Sequence, residues 1–130
     1  MSTDRQKYGF LSALEASKIK EAGDVGRARW RLLSALTYNS KLYGMIVVPA
    51  GFDTDFASVP RLPLIYSLTG DTAHASAVIH DYLVRGDFQV GLISWALAAD
   101  VFLEAMKKEK VPAWRRNMMY LALRMAGTFK

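Results

Sequence analysis

Residues 51–63, GFDTDFASVPRLP, divide the chain into two unlike halves. Gly51, two aspartates, Thr54, Ser58 and two prolines exclude a regular element through most of this segment. Proline lacks the backbone donor, and short polar side chains compete for the backbone groups that a helix or sheet would use. The aromatic and branched residues among them mark a structured loop rather than a flexible linker. Immediately before this segment, from Arg29, the apolar pattern is strand-like; after it the pattern is helical. Strands followed by helices, instead of alternating with them, specify an α+β domain.

On the strand side, RWRLLSALTY (29–38) offsets Trp30, Leu32 and Leu36 from Arg29, Arg31 and Ala35. The turn-forming NSK follows, and then Met45–Val48, rich in β-branched residues and ended by Pro49. This predicts a hairpin of Arg29–Thr37 with Tyr43–Val48. Upstream, LSALEASKIKEA (11–22) places Leu11, Leu14, Ile19 and Ala22 at roughly helical spacing before Gly23, which predicts a short helix.

On the helical side, Asp71 or Thr72 is expected to cap a helix running to about Arg85. Asp87 is expected to cap another from Phe88 to about Lys108, and Pro112 to open a last one that reaches about Ala126 and stops at Gly127. In that last helix Trp114, Met118, Leu121 and Met125 form one apolar stripe, assigned to the core. The expected architecture is an N-terminal β-hairpin packed on a cluster of three to four helices. Residues 51–63 would lie over the helix edge that bears His80 and Asp81.

A chain of 130 residues, 52% hydrophobic, suits a single domain and is too apolar for a disordered one. With no cysteine there is no disulfide framework, thiolate zinc site, iron–sulfur cluster or cysteine nucleophile. Any metal must therefore use His, Asp, Glu or backbone oxygen. No apolar run is long enough to span a bilayer, and MSTDRQKYGF lacks the apolar stretch of a signal peptide. The expectation is a protein of a cytoplasm or a particle, not secreted by a signal peptide and without a membrane partner.

The net charge of +5 is unevenly spread. Residues 1–50 carry eight Lys/Arg and four acids, 51–100 carry two Arg and six acids, and 101–130 carry seven Lys/Arg and two acids. Every acid of the middle block is Asp, the preferred acid of caps, turns and compact oxygen ligation. Asp71 and Asp87 read as caps and Asp53 as a turn residue, which leaves Asp55, Asp81 and Asp100. Asp100 falls on the line Leu92, Ala96, Asp100, Leu103, an otherwise apolar stripe, so at least partial burial and a strong partner are expected. His80, Arg61, Arg116 and Arg124 are the candidates.

His80 and Asp81 are adjacent, about 100° apart on a helix, and combine imidazole with hard oxygen. With Asp55 and Asp100 they make a candidate divalent-metal set for zinc, manganese or magnesium, in which a bound water would serve as hydrolytic nucleophile. The competing assignment is a polar network in which His80 bridges Asp100 and loop backbone. Thr54, Ser58 and Pro60 read as structural parts of the loop, since Ser58 lies outside a G-x-S-x-G elbow. In the basic C-terminal segment Arg116, Tyr120 and Arg124 share one helix face, a candidate anion or nucleic-acid surface together with Arg61.

Four phrases in order, VPAGFDTDFASVPR, IHDYLV, AADVFLEAM and VPAWRRNMMYLALRMAG, resemble the domain-of-unknown-function family DUF1353 of phages and prophages. The resemblance spans roughly residues 29–127, leaving 1–28 as an N-terminal extension of a single domain over 1–130. It carries across Thr54, Asp55, Ser58, Pro60, His80, Asp81, Tyr82, Asp100, Trp114, Tyr120 and Arg124. It implies phage origin and no established reaction. The pair His80-Asp81 with a later Asp100 is also similar in ligand type to metal phosphohydrolases named for their His-Asp pair. No suitable first His precedes it, because His74 is on the same helix and another face; Asp55 would stand in.

The leading functional expectation is a phage-encoded metal-dependent hydrolase with Asp55, His80, Asp81 and Asp100 as ligands or general base. Two alternatives stay open. One is a non-enzymatic virion or tail component, or an inhibitor of a host system, in which the cluster is structural. The other is a nucleic-acid accessory protein using the basic C-terminal helix. Oligomeric state is left open.

Overall fold

The computed structural model describes residues 7–20, 29–54, 74–87 and 93–128. In chain order the strands are β1 (Gly9–Phe10), β2 (Ala16–Lys20), β3 (Arg29–Leu32), β4 (Leu36–Ser40), β5 (Gly44–Val48) and β6 (Asp53–Thr54). The helices are α1 (His74–Tyr82), which runs into a π-helical turn (Leu83–Asp87), then α2 (Trp95–Lys108) and α3 (Ala113–Thr128). The strands form two antiparallel three-stranded sheets, ordered β1-β4-β5 and β2-β3-β6, and the fold is α+β.

The hairpin is β4 with β5, in unbroken register from Leu36 opposite Val48 to Ser40 opposite Gly44. The expected first strand, 29–37, is two strands, because the chain changes sheets at Leu33–Ala35. Side chains from the 12–15 stretch hold that corner. Ser12 Oγ accepts from Thr37 N at 2.9 Å, and Ser34 Oγ donates to Glu15 Oε1 at 2.9 Å. Residues 16–20 are a strand and not part of a helix: Ala16 pairs with Leu32 and Ser17 with Arg31. Four apolar residues at helical spacing are a weak preference, and cross-strand pairing overrides it. Asp53 and Thr54 are likewise in a strand rather than a turn, opposite Arg31 and Trp30. Arg31 Nε donates to Asp53 Oδ1 at 2.9 Å across that pair.

The apolar interior has two parts that share α2. One gathers Leu36, Tyr38, Ile46 and Val48 from the first sheet with Val78 and Ile79 of α1 and Ala98, Val101 and Ala105 of α2. The other gathers Ala99, Phe102 and Met106 of α2 with Met119 and Leu123 of α3. The buried face of α2 is therefore Ala98, Ala99, Val101, Phe102, Ala105 and Met106. The stripe through Ala96, Asp100 and Leu103 lies on the other side, with Ala96 exposed and Asp100 and Leu103 half-buried; Leu92 lies outside the described residues.

The last helix shows the same exchange of faces. Trp114, Leu121 and Met125 are 50%, 58% and 64% exposed, not in the core, while Met119 and Leu123 are buried against α2. Apolar residues cover more than one face of α3, so spacing alone picks out two stripes, and packing on α2 takes the other one.

Helix boundaries differ from expectation for local reasons. α2 begins at Trp95 and not at Phe88, because Ser94 is its N-cap and accepts from Leu97 N at 3.0 Å. Asp87 belongs to the π-helical turn. At the other end Val111 N donates to Met106 O and Lys110 N to Lys107 O, a Schellman closure with Lys110 at φ +63°. Gly127 lies within α3 rather than ending it. No described helix is long and apolar enough to cross a membrane.

Candidate functional site

His80 and Asp81 close the last turn of α1, just before the π-helical turn. Both are buried. Their surroundings differ sharply.

Asp81 accepts from Arg85 Nη1 at 3.0 Å, an i,i+4 pair. The same nitrogen donates to Asp53 O at 2.6 Å, and the guanidinium stands 4.6 Å over the Phe52 ring, which meets Tyr82 edge-on. Arg85 thus answers the buried carboxylate and fastens β6 to α1 together. A buried carboxylate with a hydrogen-bonded guanidinium is held in a fixed geometry.

His80 is surrounded by aromatic rings: Trp95 edge-on at 5.9 Å and Phe102 at 5.4 Å. Neither ring nitrogen has a hydrogen-bond partner among the described residues. Burial pushes the imidazole down to about 4, so it is neutral at pH 7.

Asp100 takes its partners from α3. Tyr120 Oη donates to Asp100 Oδ1 at 2.6 Å, Arg124 Nη1 donates to Tyr120 Oη at 2.8 Å, and Arg124 Nη1 stands 3.8 Å from Asp100 Oδ1. The hydrogen bond to Asp100 raises the Tyr120 phenol above its ordinary value, with burial adding to it and Arg124 opposing. Arg124 is the cation beside Asp100, among the candidates named from sequence. Arg116 instead donates to Val111 O at 3.0 Å and braces the α2–α3 joint.

Of the expected metal set, His80, Asp81 and Asp100 therefore occupy separate settings. His80 packs on Phe102, which is two residues from Asp100 and so about 200° around α2 from it. Among the described residues no three of His, Asp and Glu are grouped to hold a metal ion. Asp55, Ser58, Pro60 and Arg61 lie outside the described residues, and so does most of the 51–63 loop. Thr54 is buried in β6.

Two acids outside the candidate list do distinct work. Glu109, at the C-cap of α2, accepts from Ser76 N at 2.9 Å and Ala75 N at 3.3 Å, at the N-terminus of α1. Glu104 accepts from Tyr38 Oη at 2.7 Å and Lys41 N at 3.1 Å. Burial first, and Glu104 second, push the Tyr38 phenol far above its ordinary value. With both acids turned onto these donors, Lys107, Lys108 and Lys110 stand exposed at the end of α2. Trp114 follows them in the chain, with the Arg115 guanidinium 5.1 Å over its ring.

Arg85 was accessible to sequence reasoning through its i,i+4 spacing from Asp81. Glu109 gave no local signal, because its partners lie 33 and 34 residues earlier.

The family model described as a protein of unknown function, DUF1353, matches residues 30–123. No curated protein and no solved structure matches the chain.

Proposed function

The chain belongs to the DUF1353 family, and we propose that it works by binding another protein, with His80, Asp81 and Asp100 as parts of its structural framework. In the phage setting that the resemblance implies, it is a virion or tail component or an inhibitor of a host system. What carries this reading is that Asp81 and Asp100 are each engaged by their own arginine, Arg85 and Arg124, on different elements. Carboxylates held this way stabilise junctions: Asp81 that of β6 with α1, and Asp100 that of α2 with α3.

The contact surface in this reading is the outward side of α3. Trp114, Leu121 and Met125 supply exposed apolar area, and Lys107, Lys108, Lys110 and Arg115 lie toward its N-terminal end. α3 itself carries no acid. The complement of such a face is an apolar patch with an acidic rim on a host or virion protein. A nucleic-acid role for this face would fall mainly to these lysines, since Arg124 and Tyr120 already serve Asp100 and Arg116 serves Val111 O.

Titration calorimetry with zinc, manganese and magnesium ions, each alone, tests the structural assignment. The expected result is no saturable binding in the parent chain and a loss of thermal stability in Asp81→Asn. Saturable binding that disappears in a folded Asp81→Asn or His80→Ala variant, with folding checked by far-UV circular dichroism, would restore a metal-dependent hydrolase with Asp55, His80, Asp81 and Asp100 as ligands. Detection of the protein in purified particles separates the virion role from the inhibitor role.

A further inference from the structure

The edges of the two sheets are not equally guarded. A strand at a sheet edge presents unpaired N–H and C=O groups, and proteins blunt such edges with short strands, lysines, prolines or bulges. β1 and β6 are two residues long, and β2 carries Lys18 and Lys20 with a register shift between them. β5, the remaining edge strand, has none of these devices. It is five residues, Gly-Met-Ile-Val-Val, without charge, and its register against β4 is unbroken.

Only one side of β5 is hydrogen-bonded to β4. In an antiparallel pair every second residue directs its N–H and C=O away from the partner strand. Among the described residues nothing pairs with the outer side of β5. Its side chains divide by face as well: Ile46 and Val48 are buried in the sheet–helix interior, whereas Met45 and Val47 are 52% and 48% exposed. Leu42, in the turn between β4 and β5, is exposed beside them.

We propose that β5 is the interface between two copies of this chain, joined antiparallel edge to edge into one six-stranded sheet ordered β1-β4-β5-β5-β4-β1. An antiparallel strand pairs with itself about a two-fold axis without needing a different complementary sequence. With Ile46 at the axis, Met45 of one copy meets Val47 of the other, so apolar side chains face apolar side chains and the free backbone groups are satisfied. The charge distribution favours this edge over the α3 face as the site of self-association. The exposed face of α3 has Lys107, Lys108, Lys110 and Arg115 toward its N-terminal end and no acid on the helix, so two copies would meet with like charge there, whereas β5 brings no charge at all.

The test uses the full chain and the double substitution Met45→Lys/Val47→Lys, which alters only exposed positions and leaves Ile46 and Val48 in place. Sedimentation equilibrium should give a dimer for the parent chain and a monomer for the variant, with far-UV circular dichroism unchanged. Amide exchange at Met45 or Val47 should slow as parent concentration rises and should not do so in the variant. A monomeric parent at all accessible concentrations would overturn the proposal, as would a dimer that survives the double substitution. A dimer dissolved instead by Leu121→Ser/Met125→Ser would also overturn it and assign the contact to α3.

Discussion

Glu109 Oε1 accepts the amide proton of Ser76 at 2.9 Å, so the residue that ends α2 also occupies the start of α1. A carboxylate there satisfies donors that the helix leaves open and sits at the positive end of its dipole. Substituting Glu109→Gln keeps the shape and removes the charge, and the expected loss is about 1 kcal/mol of stability. Glu109→Ala should cost about 2 kcal/mol, because the Ser76 and Ala75 amides then lose their acceptor. Chemical denaturation of the three proteins measures both.

Lys110 sits at φ +63°, a conformation that glycine adopts without a Cβ clash. Lys110→Gly should therefore stabilise the chain by about 0.5–1 kcal/mol, visible as a higher denaturation midpoint at unchanged slope. Loss of stability on this substitution would mean that the lysine contributes more through the helix dipole than it loses in strain.

His80 gives the chain a specific acid sensitivity. Its imidazole is held down to about 4 in the folded state against 6.5 for the ordinary group. The folded form binds that proton less readily than the unfolded form. Stability is therefore unaffected by His80 above about pH 6.5 and falls progressively as pH drops toward 4, by up to about 3 kcal/mol. His80→Leu should flatten this part of the pH profile. At neutral pH it should leave stability equal or raised, because two buried nitrogens that find no partner among the described residues are replaced by methyl groups. Urea midpoints across pH 4–8 for both proteins decide the matter.

Tyr120 bridges Asp100 and Arg124, half-exposed, and the three act as one unit. Tyr120→Phe should cost about 0.5–1 kcal/mol, little for a hydrogen bond to a charged group, since solvent replaces part of it. Combining it with Arg124→Ala should give less than the sum of the two single losses, because each removes part of the same network. A double-mutant cycle measures the coupling; strict additivity would show that Arg124 acts alone.

The division of the chain was legible because Pro and Gly punctuate 51–63 and because strand and helix periods differ on its two sides. α1, α3 and the end of α2 followed from the same signals, whereas the start of α2 at Trp95, capped by Ser94, did not. The inward faces of α2 and α3 were not legible. Each helix has apolar residues on more than one side, and only contact with α1, the sheet or the neighbouring helix decides which side is covered. Asp100 is the clearest instance: it lies among apolar neighbours in one dimension and faces Tyr120 and Arg124 in three. The candidate site was legible as a set of residue types, whereas the arginine that each carboxylate meets depends on how α1 continues into the π-helical turn and how α3 crosses α2.

α2 lines both apolar clusters, with Ala98, Val101 and Ala105 serving one and Ala99, Phe102 and Met106 the other. A wall common to two rooms cannot be removed from one alone. Loosening of the C-terminal helix would uncover half of α2 and weaken its hold on the sheet, so the described elements should melt as one cooperative body. Amides of α2 should then be the slowest to exchange in the native protein, exchanging only through global opening.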